Sequence, residues 1–169
     1  MGRFSIRFLL FACMPAAAWA RDPRTPETYC REWFGEEARL SPLSLASTNL
    51  VVHEVARGGQ TAGWLFRTDE VPPACKGKRG QIALLVAIGP DTLIRGVAVL
   101  AHKEDARYFK KLKRPFFEQF LRRPPSGAPA FDAVTGATFS SRAIIRDVTE
   151  SARNVIAQPE IAAKLNKGG

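Results

Sequence analysis

The middle of the chain alternates short apolar runs with turn residues in a pattern that predicts an antiparallel sheet. Leu50–Ala56 and Thr61–Thr68 are strand-like and flank Arg57–Gln60, whose two glycines indicate a hairpin. Gln81–Ile88 is an almost continuous apolar run, which is typical of a buried strand. A Gly-Pro-Asp turn follows, and Thr92–His102 is expected to pair with the preceding run. The sequence thus predicts a meander of about four strands.

Helical patterns precede and follow this meander. Arg21–Arg39 is predicted to form a helical lead-in. In Asp105–Leu121 apolar residues recur at helical spacing, and Pro115 predicts a kink or a division into two short helices. Arg122–Ala130 holds three prolines and is expected to be a loop, whereas an apolar stripe predicts an amphipathic helix from about Ser140 to Ala157. The expected fold class is therefore α+β, with helices packed on one side of the sheet.

The N-terminal segment has the organisation of a secretory signal peptide. Two arginines precede the apolar stretch Phe8–Ala18, and Ala18-Trp19-Ala20 matches a cleavage site. Cleavage after Ala20 predicts a periplasmic protein; a lipoprotein anchored at Cys13 and an uncleaved membrane anchor are the two alternatives. The predicted organisation is a signal peptide at residues 1–20, an N-terminal helical lead-in at 21–48 and the main domain at 49–169.

Removal of the signal peptide changes the net charge of the chain and the class of partner that this charge suggests. The full chain has 169 residues and a formal charge of +9; losing 20 residues with two arginines and no acid leaves 149 residues and +7. A basic protein is a candidate for binding nucleic acid, but export argues against DNA or RNA. The charge then fits a solvated face or a docking surface for an acidic protein, with a dense cluster at Lys110–Arg114. No apolar run reaches the roughly 18 residues of a membrane span, which excludes a polytopic membrane protein.

The cysteines and histidines of the mature chain are few. Cys30 and Cys75 remain after cleavage, and in an oxidising compartment they could form one disulfide; two separate thiols are an equally open interpretation. Only His53 and His102 offer imidazole ligands, so no metal site is predicted. We also find no acid, base and substrate pocket that would make the chain an independent enzyme.

Hydroxyl side chains cluster around one glycine just before the strongest predicted helix. Thr135, Thr138, Ser140 and Ser141 surround Gly136. A helix N-terminus presents unpaired amide N–H groups and a partial positive charge that favour a phosphate. Glycine permits a turn with positive φ or a close approach of the backbone. The residues alone leave two interpretations open: an anion-binding or phosphoester site, and ordinary capping of the helix by Ser or Thr.

The same segment, Asp132–Thr138, resembles the flavinylation motif Asp-x-x-Ser/Thr-Gly-Ala-Thr of the FMN-binding domain family. This domain occurs in periplasmic subunits of the Rnf and sodium-pumping NADH:quinone oxidoreductase complexes and in nitrous-oxide-reductase regulators. The resemblance implies that a Mg²⁺-dependent flavin transferase joins the phosphate of FMN to the hydroxyl of Thr138. It further implies that Asp132, Thr135, Gly136 and Ala137 are read by the transferase or line the phosphate, with Ser140 as a further cofactor contact.

A second resemblance covers Gly63–Glu104, which is similar to the glycine-led strand and hairpin of that family. His102 and Glu104 match the start of its His-x-Glu-Thr-Pro-Gly-Leu-Gly loop near the flavin, and we add them as candidate cofactor contacts. The rest of that loop is missing here, which argues against membership of the two electron-transport complexes.

The sequence leaves three hypotheses about function, of which the first two follow from the resemblance. In the first, the chain is an exported flavoprotein that carries FMN on Thr138 and transfers electrons between redox partners, such as a periplasmic cytochrome or a quinone reductase of the membrane. In the second, it is a regulatory or assembly module whose flavin controls a membrane partner. In the third, it is a basic exported binding domain without flavin. The redox chemistry belongs to the cofactor in the first two hypotheses.

Overall fold

The computed structural model describes residues 20–21, 23–46, 48–126 and 130–166 of the chain. The predicted signal peptide lies outside these described residues, except for Ala20. The described residues form one antiparallel sheet, with strand order β1-β6-β5-β4-β3-β2, and five helices. The strands are β1 Ala20–Arg21, β2 Arg39–Leu43, β3 Val52–Arg57, β4 Gln60–Arg67, β5 Ile82–Ile88 and β6 Ile94–His102. The helices are α1 Pro26–Phe34, α2 Ala106–Phe109, α3 Arg114–Glu118, α4 Thr138–Ile156 and α5 Pro159–Leu165.

The four predicted strands form the centre of the sheet, and the α+β class is confirmed. Gly58 and Gly59 join β3 to β4 with φ angles of 59° and 77°, which suit the tight turn of a twisted hairpin. The sheet is wider than predicted because β1 and β2 extend its two edges. Pro42 lies within β2 and weakens its strand signal, and an edge strand is where a proline is tolerated.

Both faces of the sheet are covered, which differs from the predicted packing of all helices on one side. The larger core contains alternate residues of β5, such as Leu84 and Val86, together with buried residues of α3, α4 and α5. The intervening residues Leu85 and Ala87 face a second, smaller core with α1. Because side chains alternate along a strand, the continuous apolar run of β5 requires a cover on each face. The predicted helical lead-in supplies the second cover.

The segment around Pro115 divides into two short helices, α2 and α3. Of the two predicted outcomes, a kink and a division, the structure shows the division. The break lies before the proline, and Pro115 stands in the first turn of α3. A proline is tolerated there because the first amides of a helix have no partner within the helix. The predicted long helix appears as α4. Among the described residues, no helix combines the length and hydropathy that a bilayer crossing requires.

Residues 71–80, which we call the 71–80 loop, are fixed along α4 by polar contacts. Asp147 accepts a hydrogen bond from the Cys75 amide at 2.8 Å, and Asn154 Nδ2 donates to the Pro72 carbonyl at 2.7 Å. These contacts direct the second half of the loop towards the N-terminus of α4. The loop therefore joins the fold to the predicted site.

Candidate functional site

The segment that precedes α4 forms a tight turn. The Ala137 amide donates to the Val134 carbonyl at 2.9 Å, and Gly136 between them has a φ of +77°. This geometry suits a turn that needs glycine at its third position. A Cβ on Gly136 would also lie 2.3 Å from Nζ of Lys111, so the absent side chain leaves room for this ammonium group.

No hydroxyl caps the helix. The N-cap residue is Ala137, which makes no side-chain capping bond. The interpretation of the Ser and Thr cluster as ordinary capping is therefore wrong. Alanine is among the poorest N-cap residues, so no N-cap side chain satisfies the first-turn amides of α4.

The hydroxyls of the cluster have separate roles. Ser141 is fully buried, accepts a hydrogen bond from the Val134 amide at 3.0 Å and donates to the Ala137 carbonyl at 3.0 Å, so it holds the turn against the helix. Ser140 donates to the Glu104 carboxylate. Thr138 has only a long contact of 3.5 Å to the Val134 carbonyl, and its side chain lines a cavity. Of these three, Thr138 has the hydroxyl least committed to the fold.

The cavity beside Thr138 has a volume of about 310 Å³. This is near the lower end of the range found for small-molecule sites. Three parts of the chain meet there: the 71–80 loop, the start of α2 and the start of α4. The lining consists of Lys78, Arg79, Glu104, Asp105, Tyr108, Gly136, Ala137, Thr138, Phe139 and Ser140.

Glu104 is buried and joins two sides of the cavity. Its carboxylate accepts hydrogen bonds from the amides of Lys78 at 3.2 Å and Arg79 at 2.6 Å, as well as from the Ser140 hydroxyl. A Cβ on Gly77 would lie 2.7 Å from the carboxyl carbon of Glu104, so glycine is needed for this close approach. The predicted cofactor contact thus has a firm structural role: it fastens the 71–80 loop to the N-terminus of α4.

His102, the other predicted cofactor contact of this region, is not among the residues that line the cavity. Its ring stacks on that of Phe109 with centroids 3.7 Å apart, and its Nδ1 atom is buried without a hydrogen-bond partner among the described residues. Burial lowers the pKa of this imidazole, so the neutral form is favoured.

Asp132 and Thr135, two other motif residues, are exposed on the outer side of the turn. The backbone of Asp132 is fixed by the Gln119 side chain, which accepts from its amide at 2.7 Å and donates to its carbonyl at 3.2 Å. Another protein could therefore reach both motif side chains without a rearrangement of the turn.

Sequence reasoning missed several residues of the cavity. Lys78, Arg79, Tyr108 and Phe139 all line the cavity but were not singled out from the sequence. The basic run that contains Lys78 and Arg79 was a visible signal, but its position depends on hydrogen bonds to Glu104, which lies 25 residues beyond Arg79 along the chain. The Lys110–Arg114 cluster is divided: Lys111 approaches Gly136, whereas Arg114 pairs with Glu118.

Cys30 and Cys75 lie on opposite sides of the sheet and are not bonded to each other. Cys30 belongs to the small core under α1, and the Cys75 amide contacts α4 through Asp147. This arrangement answers the open question of a disulfide between them. Within the described part of the chain, no three His, Cys, Asp or Glu side chains are grouped as a metal site.

Comparison with known protein families gives a match to part of the chain. No curated protein matches the sequence of this chain. Residues 77–153 match the family model described as the FMN-binding domain. The match begins at the glycine that contacts Glu104, includes the turn with Gly136 and ends in the last part of α4. Residues 77–153 of the chain are therefore similar to the FMN-binding domain family.

Proposed function

We propose that this chain is an exported flavoprotein that carries FMN on the hydroxyl of Thr138 and transfers electrons between redox partners. The observation that carries the proposal is the position of Thr138. Its lightly engaged hydroxyl lines the cavity in the first turn of a 19-residue helix whose N-cap is alanine. A phosphate on this oxygen would lie at the positive end of α4.

The residues around Thr138 fit the phosphate end of the cofactor. The first amides of α4 have no N-cap side chain to satisfy them, and Lys78, Arg79 and Lys111 supply positive charge nearby. Gly136 keeps the turn free of a Cβ at the point where Lys111 approaches. FMN, when bound, supplies reversible electron chemistry, and the chain holds it and sets its exposure to partners.

Attachment is expected to be performed on this chain by a separate Mg²⁺-dependent flavin transferase. The Thr138 oxygen forms a bond to the flavin-bearing phosphorus of a flavin dinucleotide and loses its proton. The pyrophosphate bond breaks, and the nucleoside monophosphate half leaves. The exposed side chains of Asp132 and Thr135 are available for recognition by this transferase.

Export to the periplasm is part of the proposal and rests on the sequence of residues 1–20. A periplasmic or membrane-bound redox protein, such as a cytochrome or a quinone reductase, is the expected class of partner. The mature protein is expected to begin at Arg21.

Intact-mass spectrometry tests the attachment. The full chain is produced with its signal segment and a flavin transferase, and the exported protein is analysed. We expect a mass increase equal to one FMN less one water, loss of that increase in Thr138→Ala, and its retention in Thr138→Ser.

A matched control is available on the same helix. Thr149 donates its hydroxyl to the Ile145 carbonyl at 2.8 Å and is not among the residues that line the cavity, so Thr149→Ala should be flavinylated normally. An unmodified wild-type chain, or a modified Thr138→Ala chain, would contradict the proposal. The same spectrum shows whether cleavage occurs after Ala20.

A further inference from the structure

Phe139 is unusually exposed for a large apolar side chain in this protein. It is 73% exposed, against 40–46% for the other exposed large apolar residues of the described chain. It directly follows Thr138 and lines two neighbouring cavities, one of about 310 Å³ at the proposed flavin site and one of about 470 Å³. An exposed aromatic side chain thus stands between two concave surfaces next to the proposed attachment point.

Cationic side chains surround Phe139. Lys78 and Arg79 line the first cavity, and Lys76, Arg142 and Arg146 line the second. We call Phe139 and these five cationic residues the Phe139 face.

Few carboxylates compensate these charges. The two linings contain only Glu104 and Asp105, and Glu104 is buried beneath amide donors. Asp105 lies 3.8 Å from Arg79, and Arg146 pairs with Glu150 at 3.0 Å outside the linings. The Phe139 face therefore keeps an excess of positive charge.

A cavity beside α1 provides a contrast within the same molecule. It has a volume of about 390 Å³, and Glu27 and Glu36 balance Arg31 and Arg39 in its lining. No large exposed apolar residue is part of it. The cavity beside α1 thus lacks the excess of positive charge and the exposed aromatic side chain of the Phe139 face, although both belong to the same basic chain.

We propose that the Phe139 face is the docking surface for an acidic redox protein. Interfaces place aromatic residues at their centre, and charges at the rim steer a partner of opposite sign. The cavities on both sides of Phe139 suit the uneven surface of a protein better than the flat surface of a membrane. This inference rests on the proposed function, since docking here brings the partner beside Thr138, where each electron lost by one protein is gained by the other.

The test measures binding of defined probes to the purified protein, with and without attached flavin. A plant-type ferredoxin is the acidic probe, cytochrome c is the basic probe, and phosphatidylglycerol vesicles represent an anionic membrane. We expect the ferredoxin to bind and cytochrome c not to bind. The affinity for ferredoxin should fall when the ionic strength rises from about 0.01 M to about 0.1 M, because the Debye length shrinks from about 30 Å to about 10 Å.

Two charge reversals on α4 form a matched pair. Arg142→Glu changes the Phe139 face, whereas Arg153→Glu makes the same change three turns further along the helix, about 16 Å away. We expect Arg142→Glu to weaken ferredoxin binding about tenfold and Arg153→Glu to change it less than about twofold. Circular dichroism establishes that both variants are folded.

Several results would overturn the docking proposal: no binding of ferredoxin, equal binding of cytochrome c, equal effects of the two reversals, or vesicle binding in place of ferredoxin binding. A different result would refute the proposed function without refuting the docking surface. An unmodified Thr138 with intact, Arg142-dependent binding of ferredoxin would refute the flavin attachment and leave the docking surface in place.

Discussion

Two buried carboxylates hold the two halves of the 71–80 loop, and their surroundings differ. Glu104 receives hydrogen bonds from the amides of Lys78 and Arg79 and from the Ser140 hydroxyl. Asp147 receives one from the Cys75 amide, and its Oδ2 atom is buried without a hydrogen-bond partner among the described residues.

The number of donors decides what each carboxylate contributes. A buried carboxylate is stable as an anion only if donors replace the water that it has lost. Burial raises the pKa of Asp147 from 3.8 to about 6, and hydrogen bonding to the Thr68 side chain and to Cys75 offsets only part of this effect. The end of the loop at the proposed flavin site is therefore fastened by a carboxylate that accepts three hydrogen bonds. The other end is held by a group that titrates in mildly acidic solution.

Removal of the Glu104 carboxylate is the largest expected disturbance of this arrangement. Glu104→Ala leaves two part-buried loop amides and the buried Ser140 hydroxyl without their acceptor. We expect the free energy of unfolding to fall by about 3 kcal/mol, because unsatisfied buried donors are costly. Urea unfolding followed by circular dichroism measures the loss, and the flavinylated fraction should fall with it.

Glu118→Ala is the control for this prediction. It also removes a carboxylate, the ion-pair partner of Arg114, but this ion pair is exposed and lies outside the loop contacts. We expect a change below about 0.5 kcal/mol. Equal losses in the two variants would show that Glu104 has no special role in fastening the loop.

The titration of Asp147 gives the next largest effect. Its folded pKa lies above its unfolded value, so its contribution to stability is present below about pH 4 and is lost as the pH rises through about 6. The difference in unfolding free energy between the wild type and Asp147→Asn should therefore change by roughly 2 kcal/mol between these pH values. Urea unfolding at a series of pH values measures it. A difference that is constant with pH would contradict the prediction.

The sequence predicted the parts of this structure whose signals are local. The hairpin at Gly58 and Gly59 follows from its glycines, and β5 and α4 follow from their apolar patterns. Thr138 was identified from its motif, and the structure places it at the start of α4.

The parts that were missed depend on contacts between distant residues. The strand β2 is defined by pairing with β3, and its own sequence contains a proline. The cover of the second face by α1 follows only once β5 is known to lie in the middle of the sheet. Lys78 and Phe139 are brought to the same cavity by the bonds of Glu104, which no pattern within either segment encodes.

The reactivity of Cys75 gives the smallest and most local test of the comparison. Burial and the nearby Asp147 raise the pKa of this thiol to about 11, so little thiolate is present near pH 8. Asp147→Asn keeps an oxygen to accept the Cys75 amide but removes the negative charge, and we expect alkylation by iodoacetamide to become about threefold faster. Cys30, across the sheet, is the internal control and should react at an unchanged rate. Faster alkylation of both cysteines would indicate general loosening, and unchanged alkylation of Cys75 would show that the charge of Asp147 does not act on the thiol.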